Sequence, residues 1–364
     1  MPPDTPHTGA LAETPALADS NSHPSHPSHP APPSLDSIPA RAVALVASDV
    51  DGTLLAPDHS LHPLTRAAVA RLRRSHPHVP FVICTGKPHA SCAWIRDELD
   101  LHDMPAVHLN GCNVYVDGDL VWDKGLDGEV VHNLATDLST GVEVSPGKVV
   151  AASVMLYVRN RVYRVVSVPP APRANDDHHD HDGRPRRDFQ LELKGYGEDV
   201  VADTQYAGEY GGKPESDGRW DLLALVRRGL VTVNKIVVCV PEEDADALRT
   251  YLLTHANSTY TVTQALGFAL ELIPPSVSKG AALEVLLSRL SLSWDHVMAF
   301  GDAENDVSML SRARYGVAMA NATRAASEVA AFGTRRNVEG GVGWALERVF
   351  REGEGEGQDG WVDG

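Results

Sequence analysis

The sequence predicts an α/β protein: a core on a parallel sheet, interrupted by an inserted α+β block with an antiparallel sheet. Three observations carry this. Short apolar runs alternate with stretches of helical period near both ends of the chain, which is the pattern of βαβ units. The middle breaks that rhythm with closely spaced strands. Polar and acidic clusters follow the apolar runs directly, where open parallel sheets place their ligands.

The chain has 364 residues, enough for two domains with a core each. Apolar residues make up 43% and charged residues 22%, an ordinary globular balance. A formal net charge of −17 argues against a nucleic-acid binder, which would carry a basic face. No apolar run approaches a membrane span, and the N-terminus shows neither a signal-peptide core nor a transit-peptide charge pattern. Four cysteines, Cys84, Cys92, Cys112 and Cys239, lack C-x-x-C spacing, so neither a disulfide framework nor a zinc site is expected. The expected compartment is the cytoplasm.

Residues 1–40 are rich in Pro, Ser, Ala and His, with SHPSHPSHP at 22–30, and read as a disordered tail. The first part of the core is expected over 41–125. An apolar strand over 42–47 runs into Asp49 and Asp51. The helix PLTRAAVARLRRS follows, with Pro63 in its first turn and Leu64, Ala68 and Leu72 on one face. A second strand, VPFVIC, ends on Thr85-Gly86-Lys87, and HASCAWIRDEL is the next helix. AVHLNGCNVYVDGDLVWD reads as a third strand and a hairpin turning at Asp117-Gly118.

The inserted block is expected over 126–268. It contains a helical stretch, the strands of SVMLYVRNRVYRVVSV, a polar excursion PRANDDHHDHDGRPRRD, the strand NKIVVCV, the helix EEDADALRTYLLTHA and further strands. The HHDH run, His178 to His181, is a possible metal site, but no strand or helix frames it and a solvated insertion is the plainer reading. Core alternation resumes over 269–350. SKGAALEVLLSRL is a helix, HVMAF a strand, GDAENDVSML a loop entering a helix, YGVAMA a strand and GGVGWALERVF the last helix. Residues 351–364 form an acidic, Gly-rich tail.

The carboxyl ends of these strands gather the chemistry. Asp49 and Asp51 follow the first, Thr85 the second, and Asp302, Asn305 and Asp306 follow HVMAF, while Lys279 opens a helix after a strand. Singly, Asp302 reads as a helix N-cap, Thr85 as a turn residue and Lys279 as a solvated side chain. Together they converge on one sheet edge, and clustered carboxylates with oxygen-only donors call for Mg²⁺ rather than zinc.

DVDGTLL, ICTGK, SKGAAL and GDAENDVSML, in this order, resemble the four motifs of the haloacid dehalogenase superfamily phosphatases. The long insertion between the second and third motifs resembles the α/β cap (class IIB) of its Cof-type branch, as do LNGCNVYV, GVAMANA and GGVGWAL. The resemblance spans about residues 41–350 and implies a Rossmann-like core with an inserted cap. It implies that Asp49 is the nucleophile and forms an aspartyl-phosphate, and that Asp51 is the general acid and then the base. It further implies that Thr85 and Lys279 neutralise the phosphoryl group, with Gly86, Asn110, Gly111 and Asn305 about the phosphate. The Mg²⁺ ligands it implies are the carboxylates of Asp49 and Asp302 and the Asp51 carbonyl, with Asp306 direct or through water. Asn110 and Asn321 match positions that line the phosphate pocket or support its loops. Lys87 stands where Arg is commoner, keeping the charge without the bidentate fork.

The expected function is hydrolysis of small phosphorylated metabolites such as sugar phosphates, with no nucleic-acid or membrane partner. Two alternatives stand beside it. One keeps the fold as a phosphosugar mutase, or as a phosphatase dedicated to sucrose phosphate or mannosyl-phosphoglycerate. A mutase would turn cationic cap residues toward the core, with Lys194, Lys213, Arg219 and Lys235 as candidates. The other is a catalytically silent scaffold, against which the intact Asp49, Asp51, Lys279 and Asp302 speak.

Overall fold

A computed structural model describes residues 33–168, 189, 193, 194, 197–266 and 268–351. The histidine-rich run at 22–30, the HHDH segment and nearly all of the acidic tail lie outside those residues. Among the described residues, no helix is long and apolar enough to cross a membrane.

The strands in chain order are β1 (Leu45–Ser48), β2 (Phe81–Cys84), β3 (Ala106–His108), β4 (Asn113–Val116) and β5 (Asp119–Asp123), then β6 (Val142–Ser145), β7 (Lys148–Val150), β8 (Ser153–Val158), β9 (Arg161–Arg164) and β10 (Val200–Ala202). After these come β11 (Lys235–Cys239), β12 (Thr261–Leu266), β13 (Ala269–Ile273), β14 (Val297–Gly301), β15 (Tyr315–Ala318) and β16 (Phe332–Gly333). Eight of them form the core sheet, in the order β16-β15-β14-β1-β2-β3-β4-β5. Pairing is parallel from β16 to β3 and antiparallel through β3, β4 and β5, the last two joined by the turn at Asp117 and Gly118, both at positive φ.

β1 lies between β14 and β2, and all four of its residues are buried. Leu45 and Ala47 pack with Leu283 and Leu286 of the helix Lys279–Leu290, on one face of the sheet. Val46 packs on the other face with Leu72 of the helix Pro63–Ser75 and Val342 of the helix Gly341–Val349. Burial on both faces is why the strand reads as a continuous apolar run rather than an alternating one.

The inserted block carries a second sheet, ordered β10-β9-β8-β11-β13-β12. Its side chains alternate. Val154, Leu156, Ile236, Val238, Leu270 and Leu272 pack with Val131, Leu138 and Leu248 from the helices Gly128–Thr140 and Glu242–His255. Met155, Tyr157, Val237, Cys239, Ala269 and Ile273 form the opposite face, where they meet Leu109 and Cys112 of the core. Period-two geometry thus gives the cap a face for its own helices and a face for the core.

Two expected boundaries move. The strand 269–273 pairs with β11 and β12 of the cap sheet, so the chain returns to the core after Ile273, not at residue 269. The tail ends before residue 40: Leu35 and Ile38 are buried in the core beside Val349 and Phe350, and Asp36 pairs with Arg348 at 3.1 Å. Two well-placed aliphatic side chains suffice to dock this stretch despite its Pro- and Ser-rich setting.

Candidate active site

β1 delivers Asp49 to the carboxyl edge of the sheet, where its N–H donates to the Phe300 carbonyl and extends the ladder by one residue. The side chain is buried, and its Oδ1 lies 2.5 Å from Lys279 Nζ. The same ammonium reaches Asp306 Oδ1 at 2.6 Å. Lys279 is the first residue of its helix, whose N-terminus is capped by the Ser278 hydroxyl accepting from the Ala281 N–H. Asp306 is fixed from its other oxygen, which accepts from the N–H groups of Asp302 (2.8 Å) and Ala303 (3.0 Å).

Asp302 is oriented by Thr53, whose hydroxyl donates to its Oδ1 at 2.7 Å. The turn after Asp51 requires a glycine: Gly52 has φ +80°, and a Cβ there would stand 2.3 Å from Asp302 Oδ2. Asn321 Nδ2 holds the same turn by donating to the Gly52 carbonyl at 2.8 Å.

Carboxylate oxygens of Asp49, Asp302 and Asp306 lie within 4.8 Å of one another. Lys279 offsets one of these three charges, leaving a deficit of two. Burial, reinforced by Asp306 and Asp302 and opposed by Lys279, holds the Asp49 carboxyl well above the usual carboxylate range. Burial likewise pushes Asp302 up to about 6. Burial pulls Lys279 down, but Asp306 and Asp49 outweigh it and keep the lysine firmly charged. An all-oxygen donor set with two uncompensated negative charges fits a hard divalent cation such as Mg²⁺. Asp306 already serves Lys279 and two amides, so Asp49 and Asp302 are the carboxylates freest to bind metal directly.

Asp51 also faces the cavity, with its side chain 37% exposed and its Oδ2 3.2 Å from Lys87 Nζ. The lysine that replaces the commoner arginine therefore sits on the second aspartate of the first motif. Thr85 is buried at the end of β2, where its hydroxyl accepts from the Lys87 N–H at 3.2 Å. Thr85, Gly86 and Asn305 line the cavity, which encloses about 110 Å³ together with Asp49, Asp51 and Asp302.

Asn110 and Gly111 do not line this cavity and have different work. Gly111, at φ +101°, lets the loop approach the Ser278 carbonyl, which a Cβ would meet at 2.3 Å. Asn110, at φ +57°, accepts from Asn305 Nδ2 at 3.0 Å and donates to Glu271 of the cap.

The cap supplies a set of lining residues that the sequence reading largely missed. Tyr157, Glu198, Lys235, Val237, Ala269 and Glu271 close the cavity opposite the carboxylates. Lys235 donates to the Gly86 carbonyl at 2.9 Å and to Glu271 Oε1 at 2.7 Å, and lies 4.3 Å from the centre of the Tyr157 ring. The Tyr157 hydroxyl donates to Glu198, whose carboxyl burial pushes up. Alternation along KIVVC and ALELI places Lys235, Val237, Ala269 and Glu271 on one face, the only sequence signal that could have found them. Of the four cationic cap candidates only Lys235 reaches the cavity. Lys194, Lys213 and Arg219 are exposed, Arg219 on Asp217 at 2.6 Å.

A family model described as haloacid dehalogenase-like hydrolase matches residues 46–163 and 227–346. A hydrolase of Schizosaccharomyces pombe is 32% identical over 310 residues, 84% of this chain and 90% of that protein. A 5-amino-6-(5-phospho-D-ribitylamino)uracil phosphatase of Bacillus subtilis is 27% identical over 311 residues, 84% of this chain and 97% of that protein. The crystal structure of a haloacid dehalogenase subclass IIB sugar phosphatase shares the fold, with a TM-score of 0.61 at 16% identity over 84% of this chain and 98% of that one. The two-part match breaks off inside the cap and resumes there, leaving every residue of the carboxylate cluster within it, and the chain belongs to the haloacid dehalogenase-like hydrolases of the Cof type, with an inserted α/β cap.

Proposed function

We propose that the protein is a Mg²⁺-dependent phosphatase that hydrolyses small phosphorylated metabolites through an aspartyl-phosphate on Asp49. The observation that carries this reading is the grouping of Asp49, Lys279, Asp306 and Asp302 beside Asp51, with Asp49, Asp51 and Asp302 lining a cavity covered by the cap and Lys279 and Asp306 buried behind them. Asp49 is held by a lysine that cannot easily lose its proton, so its carboxylate stays aimed for attack on phosphorus. Mg²⁺, when held by Asp49, Asp302 and the Asp51 carbonyl with Asp306 adjacent, supplies charge neutralisation for the incoming phosphoryl group. Thr85 and Lys279 add a hydroxyl and a cation on the protein side. Asp51, more open to solvent than Asp49, protonates the leaving oxygen and then takes a proton from the water that splits the aspartyl-phosphate. The cap sheet covers the site and limits the water that reaches it.

The mutase reading loses support from the cap. A bisphosphorylated intermediate needs unpaired cations opposite the core, whereas Lys235 is neutralised by Glu271 and the other three candidates are exposed. The test is hydrolysis of p-nitrophenyl phosphate with and without Mg²⁺, by wild type and Asp49→Asn. Metal-dependent turnover lost in the variant is expected; no turnover by the wild type would favour a silent scaffold, and unchanged turnover by the variant would remove Asp49 as nucleophile.

A further inference from the structure

The cap side of the cavity is acidic, which is unusual for a site that receives a phosphate ester. Among the described residues, five carboxylates line the cavity (Asp49, Asp51, Asp302, Glu198 and Glu271) against two lysines, Lys87 and Lys235. Both lysines already sit on carboxylates, Lys87 on Asp51 at 3.2 Å and Lys235 on Glu271 at 2.7 Å. A Mg²⁺ ion and Lys279 balance the core carboxylates for one phosphoryl group. Among the described residues nothing comparable remains on the cap side for a second anion, which would be placed against Glu198 and Glu271 at the low effective dielectric of a closed site.

The two cap carboxylates differ in availability. Glu271 is saturated, one oxygen on Lys235 and the other on Asn110. Glu198 is 93% buried, lines the cavity, and among the described residues has a side-chain partner only at Oε2, the Tyr157 hydroxyl. Tyr157 is itself held in place by its buried ring against Lys235. A buried carboxylate with an unused oxygen needs a donor to offset its desolvation.

We propose that Glu198 is the residue that selects the substrate: its open oxygen accepts a hydrogen bond from a hydroxyl or a protonated amine on the leaving group, and the acidic cap excludes leaving groups that carry a second phosphate. This rests on the phosphatase reading above and adds to it the residue that reads the leaving group, and the hydrogen-bond donor that it reads there. The protein's preference therefore lies in donors on the leaving group rather than in a second anionic anchor.

Matched pairs of substrates test this with the full chain and Mg²⁺. Fructose 6-phosphate against fructose 1,6-bisphosphate isolates the second anion. Glucosamine 6-phosphate against glucose 6-phosphate isolates the amine, and p-nitrophenyl phosphate offers no donor. In the wild type kcat/KM for fructose 6-phosphate should exceed that for the bisphosphate by about tenfold or more. In Glu198→Gln the ratio of kcat/KM for the sugar monophosphates to that for p-nitrophenyl phosphate should fall about tenfold, with glucosamine 6-phosphate falling furthest if the natural donor is an ammonium, because hydrogen bonds to charged groups are the stronger ones. The wild-type comparison needs no variant to fold. A bisphosphate turned over as well as the monophosphate would overturn the proposal. So would a Glu198→Gln enzyme that loses all substrates by one common factor, which would assign Glu198 a structural role through Tyr157. Absence of Mg²⁺-dependent hydrolysis of p-nitrophenyl phosphate by the wild type would overturn the phosphatase reading itself, and selection with it.

Discussion

Lys279 and Asp306 form a fully buried ion pair at 2.6 Å, and the same ammonium reaches Asp49 at 2.5 Å. The lysine thus lies between two buried carboxylates that would otherwise repel. Breaking a buried pair from one side leaves an uncompensated charge and costs about 3–5 kcal/mol. Lys279→Met should lower unfolding free energy by about that amount in urea titrations of metal-free protein, and added Mg²⁺ should recover part of the loss. A variant as stable as wild type would mean that the carboxylates take up protons instead.

Proton uptake by the cluster sets a pH dependence. Asp302 holds its proton to about 6 in the folded chain against 3.8 for the ordinary carboxyl. A carboxyl raised in this way stabilises the folded state fully below its unfolded value and ceases to do so as pH rises through its folded value. The contribution of Asp302 to metal-free stability is therefore present near pH 4 and gone above about 6. Mg²⁺ held by Asp302, as proposed, would compete with that proton. The rise in Tm caused by a fixed Mg²⁺ concentration should be small at pH 5 and larger at pH 7.5, measured by differential scanning fluorimetry. Asp302→Asn should abolish most of the increment at both values.

Asp51 is assigned proton transfer in both half-reactions, and a positioned acid or base contributes about 10²–10⁴-fold. Asp51→Asn should lower kcat on sugar monophosphates by that range. On p-nitrophenyl phosphate, whose leaving group needs little protonation, attack should continue while hydrolysis of the aspartyl-phosphate slows. Rapid-quench experiments should then show a burst of p-nitrophenol, and a covalently phosphorylated Asp49 by mass spectrometry. A steady-state trace without a burst would argue against this division of roles.

Gly52→Ala tests the turn itself. The new methyl group would stand 2.3 Å from Asp302 Oδ2 on a backbone with φ +80°. Either Asp302 is displaced or the turn opens, and both disturb the carboxylates proposed to bind metal. Apparent Mg²⁺ affinity from isothermal titration should fall at least about tenfold, in the range seen when groups that orient metal ligands are lost.

The core chemistry was legible because each of its residues sits at the end of a strand or the start of a helix that its own segment dictates. VIC ends on Thr85, HVMAFG on Asp302, and SKGAAL opens a capped helix with Lys279. Tyr157, Glu198 and Glu271 were not legible, because which face of a cap strand meets the core depends on packing among helices far apart in sequence. Asn110 matches a position that lines the phosphate pocket or supports its loops, and its partners, Asn305 from the fourth motif and Glu271, 161 residues away in the cap, are those of a supporting residue. The docking of Leu35 and Ile38 escaped notice since two apolar residues in a Pro-rich stretch make no period.

Asn110 also bridges the two halves of the protein. Its amide carbonyl takes a hydrogen bond from the loop that bears Asp302 and Asp306, and its amide nitrogen gives one to the cap. Lifting the cap must release Glu271 from Asn110 and Lys235 from the Gly86 carbonyl, the residue beside Thr85. Any separation of cap from core therefore disturbs the loops that carry Thr85, Asn305 and Asp302.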